Sequence, residues 1–174
     1  LIEITGKRYN LSTRVSSVPI PSTIQDVIMA RVDALSGPAR ELLQTGSAIE
    51  REFSYPLIWR VSGLPEKELL SKLSVLKDSE LLYERGIYPQ STFVFKHALA
   101  REVVYDTLMA GRKKRLHEEI GRAMEELYKD RLPDHYEALA YHYFDSENYQ
   151  KAEEYTRLSA KKAEKAASFH RAIS

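Results

Sequence analysis

Apolar residues along this chain recur at two periods, and the change from one to the other within residues 93–108 organises the reading of the rest. Phe93 and Phe95 alternate with Val94 and Lys96, the period-two pattern of a half-buried strand. From Ala98 the spacing becomes helical, with Leu99, Val103, Tyr105 and Leu108 recurring along one side. His97 stands at the handover. A side chain there lies beside the unpaired N–H groups and positive dipole end of the following helix, where anions are readily held.

Upstream, residues 1–4 and 8–11 around Gly6 predict a hairpin, followed by a linker with Pro19 and Pro21, so residues 1–22 read as extended. Ser22 or Thr23 caps a helix whose apolar face is Ile24, Val27, Ile28, Val32 and Leu35, with Asp26 and Arg31 turned to solvent. Ser36-Gly37-Pro38 separates it from a helix over 39–49 with Leu42, Leu43 and Ala48 inward. Arg51-Glu52-Phe53 is a short extended bridge, Ser54 caps a helix with Leu57, Ile58 and Val61, and Ser62-Gly63-Leu64 makes a turn. Pro65 opens a further helix with Leu69, Leu70, Leu73 and Leu76 inward. Residues 81–85 and 92–96 then read as two strands joined by a turn with Gly86 and Pro89. Three helices followed by a β-hairpin are the winged-helix arrangement, which sets a winged-helix domain over 23–97.

Connecting helices follow over 98–132. The second, from Arg112 to about Tyr128, buries Leu116, Ile120, Met124 and Leu127, and Leu132-Pro133-Asp134 breaks it. From His135 the composition shifts to Ala and Tyr. Tyr136, Leu139, Ala140 and Tyr143 make one helical stripe, residues 145–148 a turn, and Tyr149, Ala152, Tyr155 and Thr156 the antiparallel partner. That spacing matches a helical hairpin of tetratricopeptide (TPR) type over 133–174, with a second repeat opening near Ala167 and cut short. One such unit cannot bury its face alone, so it leans on the preceding helices or on further repeats. The fold class expected is therefore mainly α, a winged helix followed by TPR-type hairpins.

Composition narrows the function without naming it. With 43% hydrophobic and 29% charged residues among 174, a packed core is expected. A net charge of +1, from 26 basic and 25 acidic residues, supplies no global attraction to nucleic acid or to a membrane surface. Absence of cysteine excludes disulfide and thiol chemistry and is compatible with a reducing compartment. No apolar run approaches the roughly 18 residues of a membrane span, and no signal peptide is visible, so a cytoplasmic location is expected. The chain begins at Leu1 and stops at Ser174 within a helical pattern, which reads as a piece of a longer protein.

The chemistry-bearing residues are few. No Gly-rich phosphate loop ending in Lys-Ser/Thr occurs, so no nucleotide hydrolysis and no catalytic residue are expected in this segment. Arg112-Lys113-Lys114-Arg115 and a winged helix together raise DNA binding, yet the helix that would enter a groove sets Glu66, Glu68 and Asp78 against Lys67, Lys72 and Lys77. Balanced charge does not attract phosphates. His135 and His142 share a helical face at a spacing of seven, but no third ligand completes a metal site. His117 and His170 read as structural, and Ser54 and Ser62 as cap and turn residues rather than parts of a triad. Trp59, Tyr136, Tyr143 and Tyr155 read first as packing residues, and Tyr136, Tyr143 and Tyr155 also as the repeat's interaction surface. For His97, a helix cap or core residue stands against a phosphate sensor.

Three segments together resemble one family. Pro21-Ser22-Thr23-Ile24-Gln25-Asp26-Val27-Ile28-Met29-Ala30-Arg31-Val32-Asp33-Ala34-Leu35 looks like the helix that follows the nucleotide-binding core of STAND ATPases, signal-transduction ATPases with numerous domains. Phe93-Val94-Phe95-Lys96-His97-Ala98-Leu99, with Arg101-Glu102, Tyr105 and Arg115-Leu116-His117, looks like the close of their winged-helix domain. The 136–160 hairpin is similar to their TPR array, above all in the bacterial and archaeal branch found behind class III adenylate or guanylate cyclase domains. The resemblance implies an upstream core, acting in cis, that binds ATP or ADP with Mg. It also implies an effector, protein or small molecule, bound by the helical repeats. In the family a His at the wing-to-helix junction touches the nucleotide's phosphates, and His97 occupies the matching place. Ala98 stands where the plant and animal branch has Asp. A DNA-binding winged-helix regulator and a plain TPR scaffold are the alternatives.

Overall fold

The computed structural model describes residues 23–166 in full, with the backbone of two short strands before them and of the last helix as far as Ile173. The strands, β1 (Ile2–Thr5) and β2 (Arg8–Leu11), pair antiparallel with Ile2 opposite Leu11, as the hairpin pattern predicts. Their turn at Gly6 and the linker with Pro19 and Pro21 lie outside the described residues.

Helix α1 (Ile24–Asp33) opens on a reciprocal cap. Thr23 Oγ1 accepts the Asp26 N–H and the Asp26 carboxylate accepts the Thr23 N–H, each at 3.1 Å. Asp26 is thus a capping residue that also stays exposed, as the helical wheel suggests. Ile28, Val32 and Leu35 are buried, whereas Ile24 is 71% and Val27 41% exposed, against expectation. Among the described residues the main neighbour of α1 is α5 (Ala98–Asp106), and one neighbour buries only a narrow stripe.

Helix α2 (Gly37–Ile49) leads into β3 (Glu52–Ser54), then α3 (Tyr55–Ser62), α4 (Glu66–Asp78) and the hairpin β4 (Leu82–Arg85) and β5 (Thr92–Phe95). The three strands form one antiparallel sheet in the order β3-β5-β4, with Phe53 opposite Phe93 and Leu82 opposite Phe95. Because β5 is central, Val94 is buried along with Phe93 and Phe95, and the half-buried strand predicted from alternation is buried on both faces. Phe53 stacks on Phe93 at 6.1 Å and meets Phe95 edge-on at 6.2 Å. A Cβ on Gly46 would lie 2.7 Å from the Phe53 ring, so glycine lets α2 settle onto the sheet. Gly63, at φ 61°, ends α3 in the left-handed conformation that glycine favours. The Tyr55 and Tyr88 hydroxyls both donate to Glu66, which fastens the β4–β5 turn to the start of α4.

Helix α5 is followed by α6 (Ala110–Leu127), a 3-10 stretch (Lys129–His135) that holds Pro133, α7 (Tyr136–Asp145) and α8 (Tyr149–Ile173). The α5 residues that go inward are Ala100, Val104 and then Leu108, one position round from the predicted Leu99, Val103 and Tyr105, which are half-buried. Leu70 and Leu127, expected inward, are exposed. Helix α8 passes Ala167 without a break. The α7–α8 hairpin leans on α6, and one continuous apolar core runs from Ile28 to Tyr155. Gly121 of α6 faces the Tyr143 ring, which stacks on Tyr155 at 5.8 Å. Beside them Lys151 Nζ donates to both Glu125 oxygens at 2.8 and 2.7 Å, and the Tyr155 hydroxyl donates to Glu125 at 2.6 Å.

Candidate functional site

The β5–α5 junction places His97 at the surface. The residue holds an extended backbone, φ −127° and ψ 136°, at the N-cap position of α5, but its side chain makes no capping hydrogen bond. Its ring is exposed, so it is neither a core residue nor a side-chain cap. Lys96 Nζ, next to it, donates to Glu80 at 3.0 Å, and an Arg31 guanidinium nitrogen lies 3.5 Å from the same carboxylate. The Lys96 hydrogen bond and charge, and then Arg31, hold the Glu80 carboxyl below its ordinary value. One turn along α5, Arg101 Nε donates to the Ser47 carbonyl at 2.8 Å. The junction therefore presents an imidazole able to donate an N–H to an anion, between cations already tied to acceptors.

A second cluster lies at the far end of α5, and it is buried. His117 of α6 is 0% exposed and His142 of α7 is 2% exposed. Their Nδ1 atoms are 2.9 Å apart, so one ring donates its N–H to the lone pair of the other. On the opposite edge, His117 Nε2 is 2.9 Å from the Tyr105 hydroxyl and 3.6 Å from the Asp145 carboxylate. Burial pushes both imidazoles below the ordinary histidine value. Arg101 and Lys113 add to this at His117 against the opposing Asp145, and His117 and Arg101 add to it at His142. Burial, with Tyr141 and Asp145 nearby, raises the Tyr105 phenol to about 12. Both rings are therefore neutral at pH 7.

No protein-family model matches the chain, and no curated protein matches it.

The structure redistributes several sequence-derived candidates. His142 pairs with His117 and not with His135, whose ring stacks on Tyr128 at 3.9 Å. The partners in the buried pair are 25 residues apart on different helices, a distance that carries no local sequence signal. Tyr143 and Tyr155, expected both as packing and as an interaction surface, are buried, which removes them from any surface. Tyr136 is half-buried against Tyr155 at 5.9 Å. Among the described residues, the aromatic side chains that this hairpin exposes are Tyr141, Phe144 and Tyr149. Trp59, expected in packing, is 42% exposed; its indole N–H donates to the Leu64 carbonyl, and it lines a groove of about 650 Å³ between α3 and α6. In the basic run, Lys113 pairs with Asp106 and Lys114 with Glu147. Among the described residues no group of three or more His, Asp or Glu is placed to hold a metal ion, and no helix is long and apolar enough to cross a membrane.

Proposed function

We propose that this chain is the non-catalytic regulatory segment of a STAND-type signal-transduction ATPase, acting in the cytoplasm. It couples the nucleotide state of an upstream core to an effector engaged by helical repeats. The observation that carries the reading is the exposed His97 ring at a strand-to-helix junction, in a helix–strand–helix–helix–hairpin order that fits a winged helix. The α7–α8 hairpin packed on α6 fits a TPR unit leaning on its predecessor. Groups that would bind ATP or ADP with Mg belong to the upstream core. This chain contributes His97, whose exposed ring makes no capping hydrogen bond and whose N–H suits a phosphate oxygen. Such a switch needs two packings within a few kcal/mol of each other.

The DNA-binding alternative draws less support, because Lys72 and Lys77 of α4 are in ion pairs with Glu68 and Glu84. The test is ADP affinity of the intact parent protein carrying His97→Ala, by calorimetry. Affinity falls if His97 holds a phosphate, and unchanged affinity removes it from the mechanism. The variant is expected to melt with the wild type, since an exposed ring without a capping bond contributes within about 0.5 kcal/mol of stability.

A further inference from the structure

The Tyr105–His117–His142 chain joins three helices through one phenol and two imidazoles. Tyr105 comes from α5, His117 from α6 and His142 from α7, linked at 2.9 Å and 2.9 Å. An Nδ1-to-Nδ1 contact needs one N–H and one lone pair, the arrangement of two neutral rings. A first added proton leaves an N–H facing a nitrogen but puts a charge in a buried site. The charged groups facing that site are Arg101 from α5, Lys113 from α6 and Asp145 from α7. Asp106 and Tyr141 stand around the adjoining Tyr105. Asp145 alone opposes the added positive charge at His117. A second proton sets two N–H groups against each other, and the bond cannot persist.

From this geometry we infer that the Tyr105–His117–His142 chain is an acid-released latch, which holds the α7–α8 hairpin against α5 and α6 at neutral pH and lets it go as the two rings become charged. The direction follows from linkage. Both rings sit below the ordinary value while closed and return to it on exposure, so the open form binds more protons. The closed form is favoured above about pH 6.5 and loses ground as pH falls below it. Other acid-sensitive groups nearby fall elsewhere or are separable. At Glu118 and Glu125 burial pushes the carboxyl up but hydrogen bonds outweigh it, leaving both below the ordinary range, so their contribution is lost only below about pH 4.5. His135, also lowered by burial and by Arg131, shares the histidine window and is left in place in the variant below.

Hydrogen exchange read by mass spectrometry on the full chain, corrected for intrinsic rates, tests the latch between pH 7.5 and 5.0. Opening of α7 and of the α6 segment facing it is expected to rise by up to about 30-fold for each ring that stays neutral while closed and becomes charged when open, and so by up to about 1,000-fold for the pair. The β3-β5-β4 sheet with α2 to α4 should keep its protection. In the double variant His117→Gln/His142→Asn, whose amides do not titrate, the local rise should collapse to the share His135 contributes. An equal loss of protection along the whole chain, or an undiminished rise in the double variant, overturns the proposal. Should that variant fail to fold, the wild-type imidazole resonances decide. Charge that appears together with loss of the α7 resonances supports the latch, and titration near 6.5 with α7 intact refutes it.

Discussion

Gly121→Ala isolates the contact on which the α7–α8 hairpin rests. In an ordinary exposed helix this change stabilises by about 0.4 to 1 kcal/mol, through helix propensity and a less flexible unfolded chain. Here the added Cβ would lie 2.8 Å from Tyr143 Cζ and 2.9 Å from its Cε1, where carbon atoms prefer roughly 3.5 to 4.0 Å. The ring has little freedom to retreat. It is fully buried, stacks within 7° of parallel on Tyr155, and receives a hydrogen bond from Lys151 at 3.0 Å through its hydroxyl. Overpacking of this kind costs about 1 to 3 kcal/mol, so the net effect expected is a loss of up to about 2 kcal/mol. Gly111→Ala on the same helix is the control, because the nearest atom to a Cβ there is the mobile end of Arg115 at 4.0 Å, and it should be neutral or stabilising. Urea midpoints followed by helical circular dichroism give both values. Repeating Gly121→Ala in a Tyr143→Leu background should turn the loss into a gain, a coupling of about 1 to 3 kcal/mol. If Gly121→Ala raises the midpoint as much as Gly111→Ala, α6 and α7 do not meet as described.

Two further substitutions probe the ends of the structure. Thr23→Ala removes the side-chain half of the α1 cap and should cost about 0.5 to 2 kcal/mol, read as faster amide exchange in the first turn of α1 and a lower urea midpoint. Lys151→Met leaves the Glu125 carboxylate with tyrosine partners but without its counter-charge, and should cost about 1 to 3 kcal/mol at pH 7. With the lysine gone, the Glu125 carboxyl should titrate higher than it does in the wild type. Part of the loss should then return as pH is lowered towards 5, opposite in sign to the histidine latch.

Much of the scaffold was readable from local pattern. The change of period at His97, the Gly63 turn, Pro38 at the start of α2 and the strands flanking Pro89 are all short-range signals, and each element stands where its signal lies. Thr23 and Asp26 were readable too, as a Thr-x-x-Asp variant of the capping box on the exposed side of the helix. What escaped depends on neighbours. Ile24 and Val27 carry the same periodicity as Ile28, yet whether they are covered depends on how many elements meet α1. Tyr143 looks as suited to a surface as to a core until Gly121 is known to lie opposite it. His117 becomes more than a structural histidine only once α6 and α7 set its Nδ1 against that of His142.

Helix α5 gives the proposed coupling a physical route. It has nine residues, a length of about 13 Å, too short to bend appreciably. One end carries the exposed His97 ring. Its middle is tied to α2 by Arg101 on the Ser47 carbonyl, and just beyond its last turn Gln44 donates to Thr107 at 2.9 Å. From the last turn, Tyr105 reaches His117 and, through it, His142 on the hairpin. A hydrogen bond of 2.9 Å weakens within a few tenths of an ångström of stretch, so a shift of α5 must either carry α6 and α7 along or break the chain. A ligand that bears on His97 and a partner that bears on α7–α8 would thus bias one packed element with two arrangements, which is the condition for coupling between distant sites. Acid acts on the same chain from within, by charging its central rings without touching either end.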